Sequence, residues 1–219
     1  MSPDARATGA VAPAAPVVPG SVGILGGTFD PIHVGHLAIA EEVREALGLE
    51  RILFVPALDP PHKPGVPLAP AETRARLVAL AIAGNPAFAL SRVELDRPGP
   101  SFAADTVALV AAAHGGRRPT FILSAEALAG LPAWHEPERL LAASRLAVVP
   151  RPGSAALDAT WLAGRFPGAA IDAVFLDGPS LAVSATAIRA RVAAGRSIRY
   201  LVPDAVAAAI AEDRLYRTA

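Results

Sequence analysis

The residues with the clearest chemical potential lie in the stretch VGILGGTFDPIHVGHL at positions 22–37. Its apolar run ends in Gly26 and Gly27, which let the backbone approach a ligand closely because no Cβ stands in the way. His33 and His36 then flank a third glycine where a helix is expected to begin. Backbone N–H groups and the positive end of the helix dipole converge at such a point. The stretch therefore predicts a phosphate-binding turn in which the histidines donate hydrogen bonds to phosphoryl oxygens.

Other interpretations of this stretch are weaker. A dinucleotide fingerprint requires G-x-G-x-x-G and a P-loop requires G-x-x-x-x-G-K-[ST], and the stretch has neither. A metal site could use His33 and His36, but Asp30 is the one further candidate ligand nearby, so we predict no metal held by the protein. A turn with incidental histidines would not explain so tight a cluster.

A second cluster follows the next apolar run, in VPALDPPHKPG at positions 55–65. Lys63 is the single lysine of the chain, and the other nineteen basic residues are arginines. A cation on a flexible stem beside His62 is suited to a triphosphate or a substrate phosphate. The alternative is a solvated, proline-rich loop.

Both clusters follow predicted strands, and in parallel α/β sheets ligands bind beyond the carboxyl ends of the strands. Short β-type runs alternate with helical segments, which is typical of a parallel sheet covered on both faces. We predict strands at Val22–Leu25, Ile52–Pro56, Ala89–Glu94, Thr120–Leu123, Leu146–Val149 and Ala173–Leu176. We predict helices at His36–Leu47, Ala71–Ala83, Phe102–His114, Pro137–Ala142, Ala185–Ala194 and Pro203–Glu212. The fold class is thus a Rossmann-like α/β fold, a doubly wound parallel sheet with a small helical C-terminal part.

The domain prediction is a flexible Pro- and Ala-rich tail over residues 1–20 and a single domain over residues 21–219. Of the 219 residues 53% are hydrophobic and 18% are charged, so the chain can bury a large core. Its formal net charge is zero, which argues against a nucleic-acid or membrane-surface binder. With no cysteine and no apolar run of about 18 residues, the chain is expected to be soluble and cytoplasmic.

The first stretch resembles the H-x-G-H signature of the nucleotidyltransferases, in the GGTFDPIHxGH form typical of bacterial nicotinate-nucleotide adenylyltransferases. The resemblance implies that the phosphate of nicotinate mononucleotide attacks the α-phosphate of ATP, with Mg²⁺ assisting and no covalent enzyme intermediate. The products are deamido-NAD and pyrophosphate, so the reaction belongs to NAD biosynthesis. Positioning and charge stabilisation would supply the catalysis.

Four further segments match the same family in order, so that the resemblance covers residues 21–217. VPALDPPHK matches VPxxxPPHK, and PSFAADTV matches PSYTxDTL. FILSAEALAGLPAWHEPERLL resembles FIxGADxLxxLxxWxxxxxLL, and VSATAIRARVAAGRSIRYLVP resembles ISSTxIRxRxxxGxSIRYLVP. Near the carboxyl terminus, Ser184 and Thr186 begin a helix whose hydroxyl and N–H groups can cradle phosphate. Arg189, one turn on, would reach the β- and γ-phosphates of ATP.

The resemblance also implies a role for each candidate site residue. Catalysis falls to His33, His36, Lys63 and Arg189. ATP is bound by Gly26, Gly27, Thr28, Phe29, His36, Ser184, Thr186, Arg189 and Glu126. The acceptor nucleotide is bound by Asp30, His62, Lys63, Ala103, Trp134 and His135.

The chain departs from the family pattern at two places. Phe102 and Ala103 stand where the family has Tyr-Thr, which removes a hydroxyl contact to the nicotinate ring. Ser124 and Glu126 stand where it has Gly and Asp. Other acceptors, nicotinamide mononucleotide or phosphopantetheine, therefore stay open, as does a nucleotide-binding protein without turnover. The sequence does not predict an oligomeric state.

Overall fold

The computed structural model describes residues 14–60, 69–150, 153 and 157–217. Its centre is a six-stranded sheet in the order β3-β2-β1-β4-β5-β6, and every neighbouring pair is parallel. This is the strand order of a Rossmann-like fold, and it reverses direction between β1 and β4. The predicted fold class is confirmed. The strands are β1 (Val18–Gly27), β2 (Leu49–Pro56), β3 (Phe88–Leu90), β4 (Thr120–Ser124), β5 (Arg145–Val149) and β6 (Ala173–Phe175).

Eight α-helices cover the two faces of the sheet within the described residues. They are α1 (Val34–Leu47), α2 (Ala71–Ile82), α3 (Ala103–Ala113), α4 (Ala125–Gly130), α5 (Pro137–Ala143), α6 (Ala159–Arg165), α7 (Ala185–Ala193) and α8 (Asp204–Glu212). A 3₁₀ turn, Leu131–Ala133, follows α4. Helices α4 and α6, of six and seven residues, are absent from the prediction, because so few residues give only a weak periodic signal. Each is instead fixed by a hydroxyl or carboxylate cap, from Ser124 to the Ala127 N–H and from Asp158 to the Trp161 N–H.

Alternate residues of the central strands pack into two cores. In β1, Leu25 belongs to the core shared with helices α1, α2, α7 and α8, whereas Ile24 belongs to the core shared with α3 to α6. In β2, Phe54 belongs to the first of these cores and Val55 to the second. This alternation is what the pleat of a strand buried on both faces produces. In the described residues no helix is long and apolar enough to cross a bilayer.

Two strand boundaries differ from the prediction by four residues, more than any other strand boundary does. β1 begins at Val18, whose N–H donates to the Gly48 carbonyl at 2.8 Å, so the predicted tail overlaps the strand at residues 18–20. Residues 1–13 lie outside the described residues. β3 ends at Leu90 rather than at Glu94, and the chain between them leaves the sheet edge. Beyond the strand, Glu94 accepts a hydrogen bond from the Thr106 hydroxyl of α3.

Candidate active site

Two adjoining cavities open at the carboxyl ends of the central strands. The larger, of about 630 Å³, lies over the ends of β1 and β2, and the smaller, of about 220 Å³, lies over β1, β4 and β5. Four residues line both cavities: Gly26, Phe121, Ala127 and Trp134. Two cavities that share Gly26, where the strand order reverses, give room for two ligands in contact.

His33 and His36 both line the smaller cavity, as a stacked pair. Their ring centroids are 3.7 Å apart and their planes are 22° from parallel. The backbone N–H of His33 donates to Nδ1 of His36 at 3.2 Å. An accepting Nδ1 places the proton of the neutral His36 ring on Nε2, which makes that atom a donor. The Phe29 ring, 5.0 Å away and edge-on, fixes the orientation of His36.

Two helices begin beside this histidine pair. α1 begins at Val34, and Ser184 caps α7 by accepting from the Ala187 N–H at 3.2 Å. The two helix ends lie close together: a Cβ built on Gly35 of α1 would be 3.9 Å from the side chain of Val183, just before α7. The first N–H groups of an α-helix have no intrahelical partner, and the helix dipole is positive there. The positive ends of two helix dipoles therefore lie beside the smaller cavity, an arrangement suited to phosphate.

Arg189 of α7 contacts the loop after β1, although it is not part of either cavity lining. Its Nη1 donates to the backbone carbonyl of Asp30 at 2.7 Å, and its Nη2 lies 3.4 Å from the Thr186 hydroxyl. The Arg189 side chain keeps 25% of its surface exposed. A guanidinium has five N–H donors, so donors beyond these two contacts remain for an anionic ligand.

The larger cavity has an aromatic wall. Phe102 and His135 stack with centroids 4.0 Å apart, and the Trp134 ring meets Phe121 edge-on at 6.2 Å. Thr28 and Ala103 also line this cavity. Aromatic surfaces of this kind suit a planar heterocycle.

The carboxyl group of Glu94 also lines the larger cavity. Its residue is 6% exposed, and it accepts hydrogen bonds from the hydroxyls of Thr106 and Ser101. Burial raises the pKa of the Glu94 carboxyl, while those two hydrogen bonds and the charge of Arg97 oppose the rise. The Ser101 hydroxyl also accepts from the Leu58 N–H at 3.0 Å, so Glu94 holds together the loops that form the cavity.

Glu94→Gln should change the pH dependence of stability. Because the folded-state pKa is raised, Glu94 contributes stability below its ordinary pKa of 4.5 and loses it as the pH rises through the folded-state pKa. The free energy of unfolding of Glu94→Gln, relative to the natural protein, should therefore increase across that window and then level off. Urea denaturation between pH values of about 4 and 8 measures the difference. A difference that is constant with pH would contradict the assignment.

The remaining predicted site residues are distributed unevenly. Six of the predicted residues line the larger cavity: Gly26, Gly27, Thr28, Ala103, Trp134 and His135. Phe29 and Asp30 lie behind the cavities, where both are 2% exposed. Glu126 is exposed in the first turn of α4 and is not part of either lining. His62 and Lys63 lie outside the described residues.

Arg74 supports the site from behind, a role that no sequence motif indicates. It is 2% exposed, and its guanidinium donates to the carbonyls of Thr28 at 2.7 Å, Ala69 at 3.0 Å and Leu58 at 3.4 Å. These carbonyls belong to the loops after β1 and β2. A buried guanidinium thus helps to connect the two loops.

Arg74→Met should lower the free energy of unfolding by about 2–3 kcal/mol, because several carbonyls lose their donor at a buried position. Arg76→Met is the matched control. Arg76 lies two residues along α2 and forms an exposed ion pair with Asp213, so its loss should cost about 1 kcal/mol or less. Guanidinium denaturation of both variants measures the difference. Equal effects would show that the Arg74 contacts contribute little.

Comparison with known proteins relates this geometry to a family. The family model described as cytidylyltransferase-like matches residues 24–191. A protein of a Roseiflexus species named "Probable nicotinate-nucleotide adenylyltransferase" is 51% identical over 196 residues, which cover 90% of this chain and 98% of that protein. A protein of Thermus thermophilus with the same name is 43% identical, covering 90% of this chain and 99% of that protein.

A solved structure has the same fold at low sequence identity. Plasmodium falciparum nicotinic acid mononucleotide adenylyltransferase, complexed with NaAD, superposes with a TM-score of 0.74 at 17% identity, covering 90% of this chain and 97% of that chain. The family resemblance of the motifs is therefore confirmed over most of the chain. The chain belongs to the cytidylyltransferase-like family and, within it, to the nicotinate-nucleotide adenylyltransferases.

Proposed function

We propose that this protein transfers the adenylyl group of ATP to nicotinate mononucleotide. A phosphate oxygen of the mononucleotide attacks the α-phosphorus of ATP, and the bond from that phosphorus to the bridging oxygen of pyrophosphate breaks. The products are nicotinic acid adenine dinucleotide and pyrophosphate, and the reaction is a step of NAD biosynthesis. The relatives that carry this name align over nearly their whole length.

The observation that carries the proposal is the pair of cavities that meet at Gly26. Adenylyl transfer needs two nucleotides with their phosphates in contact, and a nucleoside on each side of the reacting atoms. In the smaller cavity the two histidines supply hydrogen-bond donors for phosphate oxygens, and the larger cavity supplies an aromatic wall for a base. Holding both reactants in line converts a bimolecular step into an effectively unimolecular one.

Charge stabilisation is the second contribution of the site. Negative charge increases on the pyrophosphate leaving group as its bond to the α-phosphorus breaks. His36 Nε2–H, the N-termini of α1 and α7 and the Arg189 guanidinium are donors fixed before the reaction begins, so they require little reorganisation. The acceptor phosphate is already an anion, and no protein nucleophile is needed.

Mg²⁺ is proposed to enter with ATP as part of the substrate. Among the described residues no group of three or more histidine, aspartate or glutamate side chains could hold a metal ion. Mg²⁺ commonly binds phosphate oxygens and keeps several waters, so the triphosphate itself can carry it. It would neutralise charge on the triphosphate while the residues of the smaller cavity orient the phosphates.

The acid, rather than the amide, is the proposed acceptor. Helix α3 begins at Ala103, which lines the larger cavity, and the first N–H groups of a helix favour an anionic group. A pyridine carboxylate at that end would receive backbone N–H donors, so a side-chain hydroxyl is not required. This supports the view that Ala103 is a tolerated variant.

The absence of cysteine and the use of ATP support a cytoplasmic location.

The testing experiment is pyrophosphate release with ATP and Mg²⁺, comparing nicotinate mononucleotide, nicotinamide mononucleotide and phosphopantetheine at equal concentrations. We expect kcat/KM for the acid to exceed that for the amide by about tenfold or more, the value of one charged hydrogen bond. A preference for another acceptor would contradict the proposed substrate. If no pyrophosphate is released with any of the three acceptors while ATP still binds, the protein is instead a nucleotide-binding protein without turnover.

A further inference from the structure

The C-terminal segment returns to the first loop through Tyr216. After α8 the chain turns, with the Leu215 N–H donating to the Ile210 carbonyl at 3.0 Å, and Tyr216 adopts a φ of 62°. Its hydroxyl donates to Oδ1 of Asp30 at 2.7 Å. The contact joins residues 186 positions apart in the chain. A left-handed backbone at a bulky residue costs free energy, so it persists where the surrounding contacts select it.

The Asp30 side chain is buried and faces Tyr216 rather than either cavity. Oδ1 also accepts from the Ala69 N–H at 3.3 Å, and Oδ2 lies 3.8 Å from Nη1 of Arg189. The same Nη1 donates to the backbone carbonyl of Asp30 at 2.7 Å. Asp30 therefore holds Arg189 through its backbone and through its charge.

The Tyr216 hydroxyl stays a donor throughout the working pH range. Burial, the hydrogen bond to Asp30 and the charge of Asp30 all raise the pKa of Tyr216 well above its ordinary value, although the charges of Arg189 and Arg74 oppose the rise. The phenol therefore keeps its proton and continues to orient the carboxylate. That carboxylate in turn places its negative charge 3.8 Å from Nη1 of Arg189, beside the backbone carbonyl that accepts from the same nitrogen.

Fixing Arg189 matters because an arginine side chain has many rotamers. An arginine on a solvent-exposed helix edge must lose that freedom each time it binds an anion. An arginine already anchored by Asp30 presents its remaining donors in one orientation, which reduces the cost of binding. We expect the gain to fall on ATP, because Arg189 belongs to α7, the helix that follows Val183 of the smaller cavity's lining.

We infer that Tyr216 is a positioning residue that acts through Asp30 to hold the Arg189 guanidinium in its ATP-binding orientation. The inference rests on the proposed adenylyl transfer. It adds a residue outside the phosphate motifs and gives Asp30 a supporting role in place of the predicted contact with the acceptor.

Tyr216→Phe tests the inference, because it removes the hydroxyl and keeps the ring. We expect kcat/KM for ATP to fall about tenfold, the usual effect of losing a hydrogen bond to a charged group, while KM for nicotinate mononucleotide stays unchanged. Tyr200→Phe is the matched control, since Tyr200 is the other tyrosine of the chain, also has positive φ and is 77% exposed. An effect of Tyr216→Phe no larger than that of Tyr200→Phe would overturn the inference. A parallel rise in KM for both substrates would also overturn it, because that is the signature of general loosening.

A double-mutant cycle identifies the route of the effect. If Tyr216 acts through Asp30, Tyr216→Phe should have little further effect on kcat/KM for ATP in an Asp30→Asn background. Independent, multiplying effects in the cycle would overturn that route.

A readout without turnover separates this inference from the proposed function. ¹⁵N relaxation of the Arg189 side-chain Nε–H, assigned with Arg189→Lys, should show greater mobility in Tyr216→Phe than in the natural protein or in Tyr200→Phe. Unchanged mobility would overturn the inference. Lack of turnover by the natural protein with every acceptor would overturn the proposed function and leave this measurement valid.

Discussion

His36→Ala is expected to lower kcat for pyrophosphate release by about 10³-fold. Removing one preorganised donor to a developing negative charge typically costs 10²–10³-fold, roughly 3–4 kcal/mol of transition-state stabilisation. The orientation of His36 is fixed by its accepted hydrogen bond from the His33 N–H and by the edge of Phe29. A water molecule that fills the space left by the ring would have no such fixed orientation. The rate loss should therefore appear mainly in kcat.

The control for His36→Ala is His114→Ala. His114 ends α3, and its Nδ1 lies 2.8 Å from the Val110 carbonyl, away from both cavities. Its replacement should leave kcat within about twofold, because it removes no contact to a ligand. Circular-dichroism melting of both variants shows whether the fold is kept. A near-normal kcat for folded His36→Ala would contradict its assignment to the phosphates.

The fold is predictable from the sequence to the extent that its signals are local. The strand cores of β1, β2 and β5 are continuous apolar runs, and α1 has helical periodicity, so all are located within a few residues. Helix α4 is not predicted, because its six residues show little helical periodicity and its start is marked only by the Ser124 hydroxyl cap. The early part of β1 escapes because its pairing with the Gly48 carbonyl is a long-range contact that the proline-rich composition conceals.

The candidate site also contains residues that a local motif indicates and residues that only the structure reveals. Gly26, His33 and His36 are identifiable because their chemistry depends on near neighbours in one short stretch of the chain. Asp30 belongs to the same stretch, yet its carboxylate faces Tyr216, which lies 186 positions away. Glu94 and Arg74 carry no motif, and their buried hydrogen bonds become visible only when the loops after β1 and β2 meet. A sequence pattern thus indicates which groups can bind a phosphate, whereas the contacts that hold those groups require the structure.

Gly26→Leu is expected to abolish transfer without harming the fold. A Cβ on Gly26 would meet no heavy atom within 4 Å, so a side chain can leave the backbone there without a clash at its first atom. Because Gly26 lines both cavities, that open space is the junction where the two nucleotides would join. Replacing a strand glycine should leave stability unchanged or raise it by about 0.5–1 kcal/mol. We expect kcat/KM to fall by about 10³-fold, since a misplacement of about 1 Å already costs roughly 10²-fold.

Gly84→Leu is the matched control, because a Cβ there also meets no heavy atom within 4 Å and the residue lies in the turn after α2. Its activity should match that of the natural protein. Calorimetry adds a second distinction: Gly26→Leu should still bind one nucleotide at a time in its own cavity but should not bind both together. Simultaneous binding with full turnover would show that the cavities are not two halves of one reaction site. Loss of activity in Gly26→Leu alone, with an intact melting temperature, would place the reacting phosphates at the carboxyl end of β1.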